Sequence, residues 1–247
     1  MTRQRVRFGG NSIETTVTDK ASVVKDWVSN ISSWYNGDRI VGLDCEWKAN
    51  KSKEMNNKPA TLQLCVNNKC IILQLFYMDY IPQSSKDFLN DPTFTFVGVD
   101  IDEDVEKLRN GYGLNCSSTT DLRELAREKW AGRWSHPLQP GLKVPAKEVV
   151  ALSMEKPEAL TWQSNWEDRE LSQEQIEYAC IDAYASYRIG EKMLMANGFS
   201  LWPLMKLLFV IFISYLVLSM LRARLLEASC FVTLLYIVLF SDTWQDS

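Results

Sequence analysis

The sequence has a single histidine, His136, among 247 residues, and this scarcity excludes several classes of catalytic site. Zinc sites built from several histidines and HExxH metalloproteases both need more than one such side chain. A Ser-His-Asp site would have to use His136, whose Trp-Ser-His-Pro context is typical of a loop. We therefore expect carboxylates to carry the chemistry of this chain.

Paired cysteine motifs and a secretory signal are also missing. The six cysteines include no CxxC pair, so reduced, buried thiols are expected rather than a metal or redox cluster. The N-terminus has no apolar core of a signal peptide, and Arg3, Arg5 and Arg7 make only a weak targeting signal. These features predict a nuclear or cytoplasmic protein.

A general excess of positive charge is absent too. The 27 basic and 31 acidic side chains give a formal net charge of −4, which argues against a broadly basic nucleic-acid coat. Apolar residues make up 46% and charged residues 23%, a composition typical of a globular protein. The length suits one full domain with a tail.

The composition changes near residue 200, and this change divides the sequence. We predict an N-terminal lead-in over residues 1–24, a catalytic domain over 25–199 and an apolar tail over 200–247. The tail contains two uncharged stretches, Leu207–Leu221 and Ala228–Ser241. A membrane anchor, an apolar helix pair packed on the domain and a variant C-terminus are all compatible with it. The variant terminus is slightly favoured, and membrane association stays open.

Short apolar runs and one long amphipathic run predict an α/β domain. Residues 39–44 and 94–99 have the β-branched, apolar character of buried strands. Residues 60–75 predict a hairpin that turns at Asn67-Asn68. A long helix is predicted over 172–197, opened by a Ser-x-x-Gln capping box. Strands and helices mixed in this way indicate a layered α/β fold.

Two pairs of polar residues stand on single faces of these elements. Asp44 and Glu46 are two apart at the end of the first strand, so both side chains project to the same side. Tyr178 and Asp182 are four apart in the long helix, hence one turn apart on one face. Neighbouring carboxylates repel unless a cation lies between them, so the first pair is a candidate metal site. A solvated strand end is the alternative for it.

A third acidic cluster opens a helix after the 94–99 strand. It contains Asp100, Asp102 and Asp104. The helix dipole favours negative charge at this position and explains most of these residues. It leaves open which of the three, if any, joins the other acidic groups.

The order of these motifs resembles the DEDD superfamily of 3′–5′ exonucleases, in the branch that contains a tyrosine. The resemblance is strongest to the exonuclease domain of Werner-syndrome-type helicases, with RNase D as a more distant relative. It covers about residues 25–197. Further segments carry it: Lys58–Cys65, Thr120–Leu122, Ser164–Trp166, Leu171–Gln175 and Tyr178–Ala185.

The resemblance implies a ribonuclease-H-like domain, in which a central mixed β-sheet is flanked by helices, and a metal-dependent 3′–5′ exonuclease activity. Asp44, Glu46, Asp104 and Asp182 match the metal ligands, which would hold two divalent ions, Mg²⁺ or Mn²⁺. Tyr178 matches the residue that orients the attacking water. Asp100 and Asp102 remain rivals of Asp104.

The partner implied is nucleic acid with an accessible 3′ end, with DNA favoured and RNA possible, and a separate helicase could cooperate with it. The alternative function is an inactive module of the same fold that binds nucleic acid or a protein without cutting, with or without a membrane tether formed by the tail. Phosphate contacts are plausible for a set of basic residues, Lys51, Lys53, Lys58, Arg109, Lys129, Arg133 and Lys143. Trp47 could stack on a terminal base or simply pack.

Overall fold

The computed structural model describes residues 1–34, 39–49, 52, 55–130, 141–154 and 164–195. All of them belong to one unit, Met1–Asn197. Its seven strands are β1 (Thr2–Phe8), β2 (Asn11–Thr18), β3 (Ile40–Glu46), β4 (Thr61–Val66), β5 (Lys69–Leu73), β6 (Thr95–Gly98) and β7 (Thr119–Asp121). Its helices are α1 (Ala21–Trp34), α2 (Gln83–Leu89), α3 (Ile101–Tyr112), α4 (Leu122–Trp130), α5 (Lys143–Val150) and α6 (Gln173–Met195), with a 3-10 turn at Leu75–Tyr77.

The strands form one mixed sheet in the order β1-β2-β5-β4-β3-β6-β7. Strand β2 is parallel to β5, and β3, β6 and β7 are parallel to one another. The intervening β4 is antiparallel to both β3 and β5. The carboxyl ends of β2, β5, β3, β6 and β7 therefore meet at a single edge of the sheet. The predicted α/β fold with a central mixed sheet and flanking helices is confirmed.

The strands predicted from short apolar runs are confirmed, with small shifts at their ends. The 39–44 run is β3 and the 94–99 run is β6. The predicted hairpin is β4 and β5, and its turn residue Asn67 has a φ of 54°, in the left-handed region that asparagine tolerates.

The predicted long helix is α6, and its N-terminus shows the predicted capping box. The Gln175 backbone N–H donates to Ser172 Oγ at 3.2 Å, and the Ser172 N–H donates to Gln175 Oε1 at 2.9 Å. This reciprocal pair satisfies two backbone donors that the first turn of a helix leaves open. The predicted end at Asn197-Gly198 lies outside the described residues.

The segment predicted as a lead-in is part of the sheet. Residues 2–18 form β1 and β2, and β2 pairs with β5 from Glu14 opposite Lys69 to Thr18 opposite Leu73. The cause is a period-two pattern, in which Val6, Ile13 and Val17 are buried while the side chains between them are mostly polar. The sheet therefore starts well before residue 25, the domain start predicted above.

Several features named above lie outside the described residues, among them His136 and the tail over 200–247. The readings of the tail stay predictions. Within the part of the chain that the structure describes, no helix is long and apolar enough to cross a membrane.

Helix α6 packs directly across the middle of the sheet, and a glycine makes this possible. A Cβ atom at Gly42 in β3 would collide with the Ala183 carbonyl oxygen and lie 2.6 Å from the Tyr187 backbone nitrogen. Only glycine lets the two backbones come this close. The helix thus lies on β3 next to the residues that follow Gly42.

Candidate active site

The first two acidic residues stand on the face of β3 that α6 covers. Because strand side chains alternate, Asp44 and Glu46 share the side of the sheet to which Gly42 turns. Their neighbours on β4 in the same register are Gln63, opposite Asp44, and Thr61, opposite Glu46. Glu46 is 9% exposed. The predicted same-side placement of the two carboxylates is what the structure shows.

Asp182 joins this pair from α6. Asp182 directly precedes Ala183, and Gly42 packs against the Ala183 backbone. Because α6 and β3 are in close contact here, the Asp182 carboxylate lies near the end of β3. One oxygen from each of Asp44, Glu46 and Asp182 can be chosen so that the three lie within 4.8 Å of one another. Asp182 is 7% exposed, so the cluster is open to solvent mainly through Asp44.

Asp104 faces the same cluster from α3. It is 5% exposed, and burial followed by the negative charges of Asp44 and Glu46 raises its pKa well above the usual range. Asp104 is not one of the three residues whose oxygens lie within 4.8 Å of one another. Helix α3 contacts β3, and the charges of Asp44 and Glu46 contribute to the raised pKa of Asp104.

The two rivals of Asp104 have other surroundings. Asp100 adopts a left-handed backbone conformation, φ 57°, just before α3, and its carboxylate accepts a hydrogen bond from Arg123. Its backbone N–H donates to Asp121 Oδ2 at 2.8 Å. Asp102 is exposed on the first turn of α3. Of the three acids, Asp104 alone is buried, which supports the predicted assignment.

The donor set suits a hard divalent cation. Carboxylate oxygens are the ligands that Mg²⁺ and Mn²⁺ prefer, and clustered carboxylates are stabilised by positive charge between them. Asp44, Glu46 and Asp182 would hold such a cation, with Asp104 as a further ligand. Burial, and after it the negative charges of Asp44 and Glu46, raise the pKa of Asp104, and a cation would relieve the second of these causes.

Tyr178 lies one turn before Asp182 on α6 and is partly buried. Its ring packs against Trp166, with the ring centroids 5.8 Å apart and tilted by 55°. Trp166 is 1% exposed and belongs to the Ser164–Trp166 segment that carries part of the resemblance. The tyrosine ring is therefore fixed by packing on the side of α6 that presents Asp182.

A second group of contacting residues lies beside the site, around Lys107 in α3, and it was not predicted from the sequence. This lysine is 7% exposed, and its Nζ lies 4.5 Å from the ring centroid of Trp47 and donates to Asn56 Oδ1 at 2.6 Å. The contact gives Trp47 a packing partner immediately after the Asp-x-Glu motif. The sequence does contain a signal for this group, because Lys107 follows Asp104 by three residues on an amphipathic helix. Residues three apart lie on the same face, so both side chains are expected to face inwards.

The structure describes the side chains of three of the basic residues proposed for phosphate contacts. Lys58 Nζ lies 5.7 Å from the ring centroid of Tyr112, and Arg109 and Lys143 are exposed. Lys51, Lys53 and Arg133 lie outside the described residues, as does the side chain of Lys129. These phosphate contacts stay predictions.

Replacing Asp104 by asparagine is expected to stabilise the protein when divalent cations are removed. A raised pKa means that the folded protein prefers the protonated carboxyl. The associated stability is therefore complete below the unfolded pKa of about 3.9 and is lost as the pH rises through the folded value. At pH 7 in EDTA we expect Asp104→Asn to melt about 2–4 °C above wild type, corresponding to about 1 kcal/mol.

The same measurement near pH 4 is the control, because the wild-type carboxyl is then largely protonated and the two proteins should melt together. Added Mg²⁺ should raise the melting temperature of wild type more than that of the variant. A variant that is less stable than wild type in EDTA at pH 7 would contradict the crowding of carboxylates at Asp104.

Comparisons with known proteins agree with this geometry. A family model described as 3′-5′ exonuclease matches residues 16–196. A 3′-5′ exonuclease of Arabidopsis thaliana is 35% identical over 191 residues, which cover 74% of this chain and 64% of that protein. The mouse bifunctional 3′-5′ exonuclease/ATP-dependent helicase WRN is 31% identical over 76% of this chain but only 13% of its own length. The chain thus spans less than two thirds of these relatives.

The fold also matches a solved structure. Escherichia coli RNase D, described as an exoribonuclease involved in structured RNA processing, superposes with a TM-score of 0.61 at 19% identity. The match covers 73% of this chain and 44% of that one. At this identity the likeness concerns the fold, and it agrees with the predicted ribonuclease-H-like architecture.

Proposed function

Because the chain belongs to the DEDD-type 3′-5′ exonuclease family, we propose that it is a metal-dependent enzyme that hydrolyses phosphodiester bonds from the 3′ end of nucleic acid. The observation that carries the proposal is the meeting of Asp44, Glu46 and Asp182 within 4.8 Å at the sheet edge. These residues come from a strand and a helix that are distant in sequence. A module that only binds nucleic acid has no need to keep them together.

The carboxylates would hold divalent cations, Mg²⁺ or Mn²⁺, against the phosphate to be cleaved. When bound, such ions activate water and stabilise the leaving 3′ oxygen of an in-line displacement. The four acidic side chains supply the negative charge that retains the cations. The bound cations would also allow a protein of net charge −4 to bind a polyanion at this point of its surface.

Tyr178 would orient the attacking water or the scissile phosphate through its hydroxyl. With an ordinary pKa of about 10, a tyrosine is a weak base at neutral pH, so positioning rather than proton removal is its expected contribution. Its packing against Trp166 supports this role, because a ring held by a neighbouring side chain presents its hydroxyl in a restricted range of directions. Asp182, one turn further along α6, would bind metal beside it.

We propose DNA as the preferred substrate and RNA as the alternative, because the motifs resemble most closely the exonuclease domain of Werner-syndrome-type helicases. A helicase acting as a separate partner would fit an enzyme that needs a free 3′ end. The mouse relative, whose name includes both exonuclease and helicase, supports this association.

The test uses the full chain and a duplex labelled at the 5′ end, with a recessed 3′ end, in Mg²⁺, Mn²⁺ or EDTA. We expect a ladder of products that shortens from the 3′ end with either metal and disappears in EDTA. Matched single-stranded DNA and RNA of the same sequence rank the substrates by their initial rates.

Two results would contradict the proposal. Products that shorten from the 5′ end or arise internally would exclude the proposed direction. A folded, metal-loaded protein that binds all three substrates without cutting any would favour the alternative, a non-cutting module of the same fold.

A further inference from the structure

The edge strand β1 carries a row of three arginines on one face. Arg3, Arg5 and Arg7 alternate with Gln4 and Val6, so the arginines share one side of the sheet. All three are exposed, whereas Val6 between them is buried. At about 3.4 Å per residue, successive arginines stand about 7 Å apart. This Arg3/Arg5/Arg7 row is called the arginine row below.

The arginine row faces away from the carboxylates. Gln4 pairs with Thr15, Thr15 with Cys70, Cys70 with Cys65 and Cys65 with Gly42, so these residues form one line on the side that α6 covers. Arg3 and Arg5, one residue to either side of Gln4, consequently lie on the opposite side. That side is bordered by α1, as shown by a cavity of about 150 Å³ lined by Arg3, Thr16, Trp27 and Lys69, among others.

The charge of this face is unusual for an acidic chain. This face has four basic residues, the three of the arginine row and Lys69, and two acidic ones, Glu14 and Asp26. Glu14 lies opposite Arg5 in the register and its Oε2 is 4.0 Å from Lys69 Nζ, so this one acid is shared by two of the four basic residues. Within the described ranges, none of the three arginines forms an ion pair within 4.0 Å, although the rest of the chain carries an excess of acid.

The row begins at the sheet edge where the candidate site lies. Thr2 pairs with Val17 near the carboxyl end of β2, so Arg3 is the arginine nearest this edge and Arg7 the most remote. Four strand intervals separate β1 from β3 in the sheet, about 19 Å at about 4.8 Å each. A strand whose 3′ end is held at β3 can reach the row by passing over the start of β1.

We propose that the arginine row is a secondary binding surface for the phosphodiester backbone of the substrate strand, upstream of its 3′ end. The inference rests on the proposed exonuclease function and adds a substrate preference, for strands long enough to engage both surfaces. Guanidinium groups bind phosphate oxygens through paired N–H donors. Their spacing of about 7 Å corresponds to two steps of 3.4 Å along a duplex strand.

The test separates binding from cleavage. In EDTA, where no cutting occurs, fluorescence anisotropy measures the affinity of the full chain for a labelled oligothymidine of about 30 nucleotides over a range of NaCl concentrations. We expect the triple variant Arg3→Gln/Arg5→Gln/Arg7→Gln to bind at least about tenfold more weakly at low salt. Its plot of log affinity against log salt should be less steep by about 2, because each contact with a single strand contributes about 0.7.

The matched control removes the same charge elsewhere on the surface, by Arg127→Gln/Lys147→Gln/Lys192→Gln, all exposed residues. It should keep the wild-type salt dependence. With Mg²⁺, the arginine variant should lose at least about tenfold in kcat/KM on the long strand and keep the wild-type rate on a trinucleotide. A trinucleotide held by the phosphate to be cleaved has one other phosphate, which is its direct neighbour along the chain and therefore too close to span the distance of about 19 Å between β3 and β1.

An arginine variant with the same affinity and salt dependence as the control would overturn the proposal. Equal losses on the long strand and the trinucleotide would overturn it as well, because the row would then act on the site itself. Binding of wild type to anionic lipid vesicles but not to oligothymidine would assign the row to a membrane surface instead. Failure of the proposed exonuclease function alone would show as absent cleavage of every substrate while the anisotropy difference persists.

Discussion

Asp182→Asn is expected to lower the cleavage rate by at least about 10³-fold while leaving the fold intact. An asparagine keeps the volume of the side chain on α6 but removes the charge that, with Asp44 and Glu46, would hold the cation. A loss of 10³-fold corresponds to about 4 kcal/mol in the activation free energy, within the range that metal ions contribute to transition-state stabilisation. Initial rates on the 5′-labelled duplex, at saturating Mg²⁺, measure this loss.

The control for Asp182→Asn is Asp102→Asn, which changes the charge by the same amount at an exposed position on α3. It should cut at a rate close to that of wild type. Far-ultraviolet circular dichroism and the melting temperature in EDTA establish that both variants are folded. An Asp182→Asn protein that cuts at a wild-type rate would contradict the site, and an inactive Asp102→Asn protein would revive the rival to Asp104.

Gly42→Ala should be the most destabilising single methyl addition in the described part of the chain. Its Cβ would collide with the Ala183 carbonyl and crowd the Tyr187 backbone nitrogen, and neither backbone group can turn aside as a flexible side chain can. Forcing an extra carbon into a closely packed interior costs about 1–3 kcal/mol of stability. Because the obstructing atoms here belong to the backbone, we expect the cost at Gly42 to reach or exceed the upper value. We expect the melting temperature to fall by about 6–12 °C and the activity to be lost.

Gly111→Ala provides the comparison, because Gly111 lies within α3 and its added carbon would meet only the side chain of Lys58, at 3.4 Å. Alanine favours helix over glycine by about 1 kcal/mol, so this variant should be as stable as wild type or more so. If Gly42→Ala matched it in melting temperature and activity, the direct contact between α6 and β3 would not be what forms the site.

The local patterns of the sequence predict the parts of the site that lie within single elements. A two-residue spacing at the end of β3 places Asp44 and Glu46 together, and the capping box at Ser172 fixes where α6 begins. The four-residue spacing puts Tyr178 and Asp182 on one helical face. Each of these inferences needs only the spacing of residues along one strand or one helix, and that spacing is read directly from the sequence.

Relations between distant elements could not be obtained in this way. The choice of Asp104 among three acids depends on which one α3 turns towards β3, and the burial of Asp104, which the sequence does not give, is the observation that favours it. The contact of Lys107 with Trp47 joins residues 60 positions apart. The N-terminal strands were missed because alternating arginines resemble a targeting signal, although the alternation itself was the evidence for a strand.

The contact between α6 and β3 also makes the order of synthesis matter. Gly42 and Tyr187 are about 145 positions apart, so this is a contact of high sequence separation, the kind that forms late in folding. A nascent chain that has left the ribosome only as far as β7 carries Asp44 and Glu46 but no Asp182. Such an incomplete chain has three of the four proposed ligands but lacks both Asp182 and Tyr178, so we expect it not to cut nucleic acid. The proposed nuclease activity would therefore be withheld until α6 has been made and has docked.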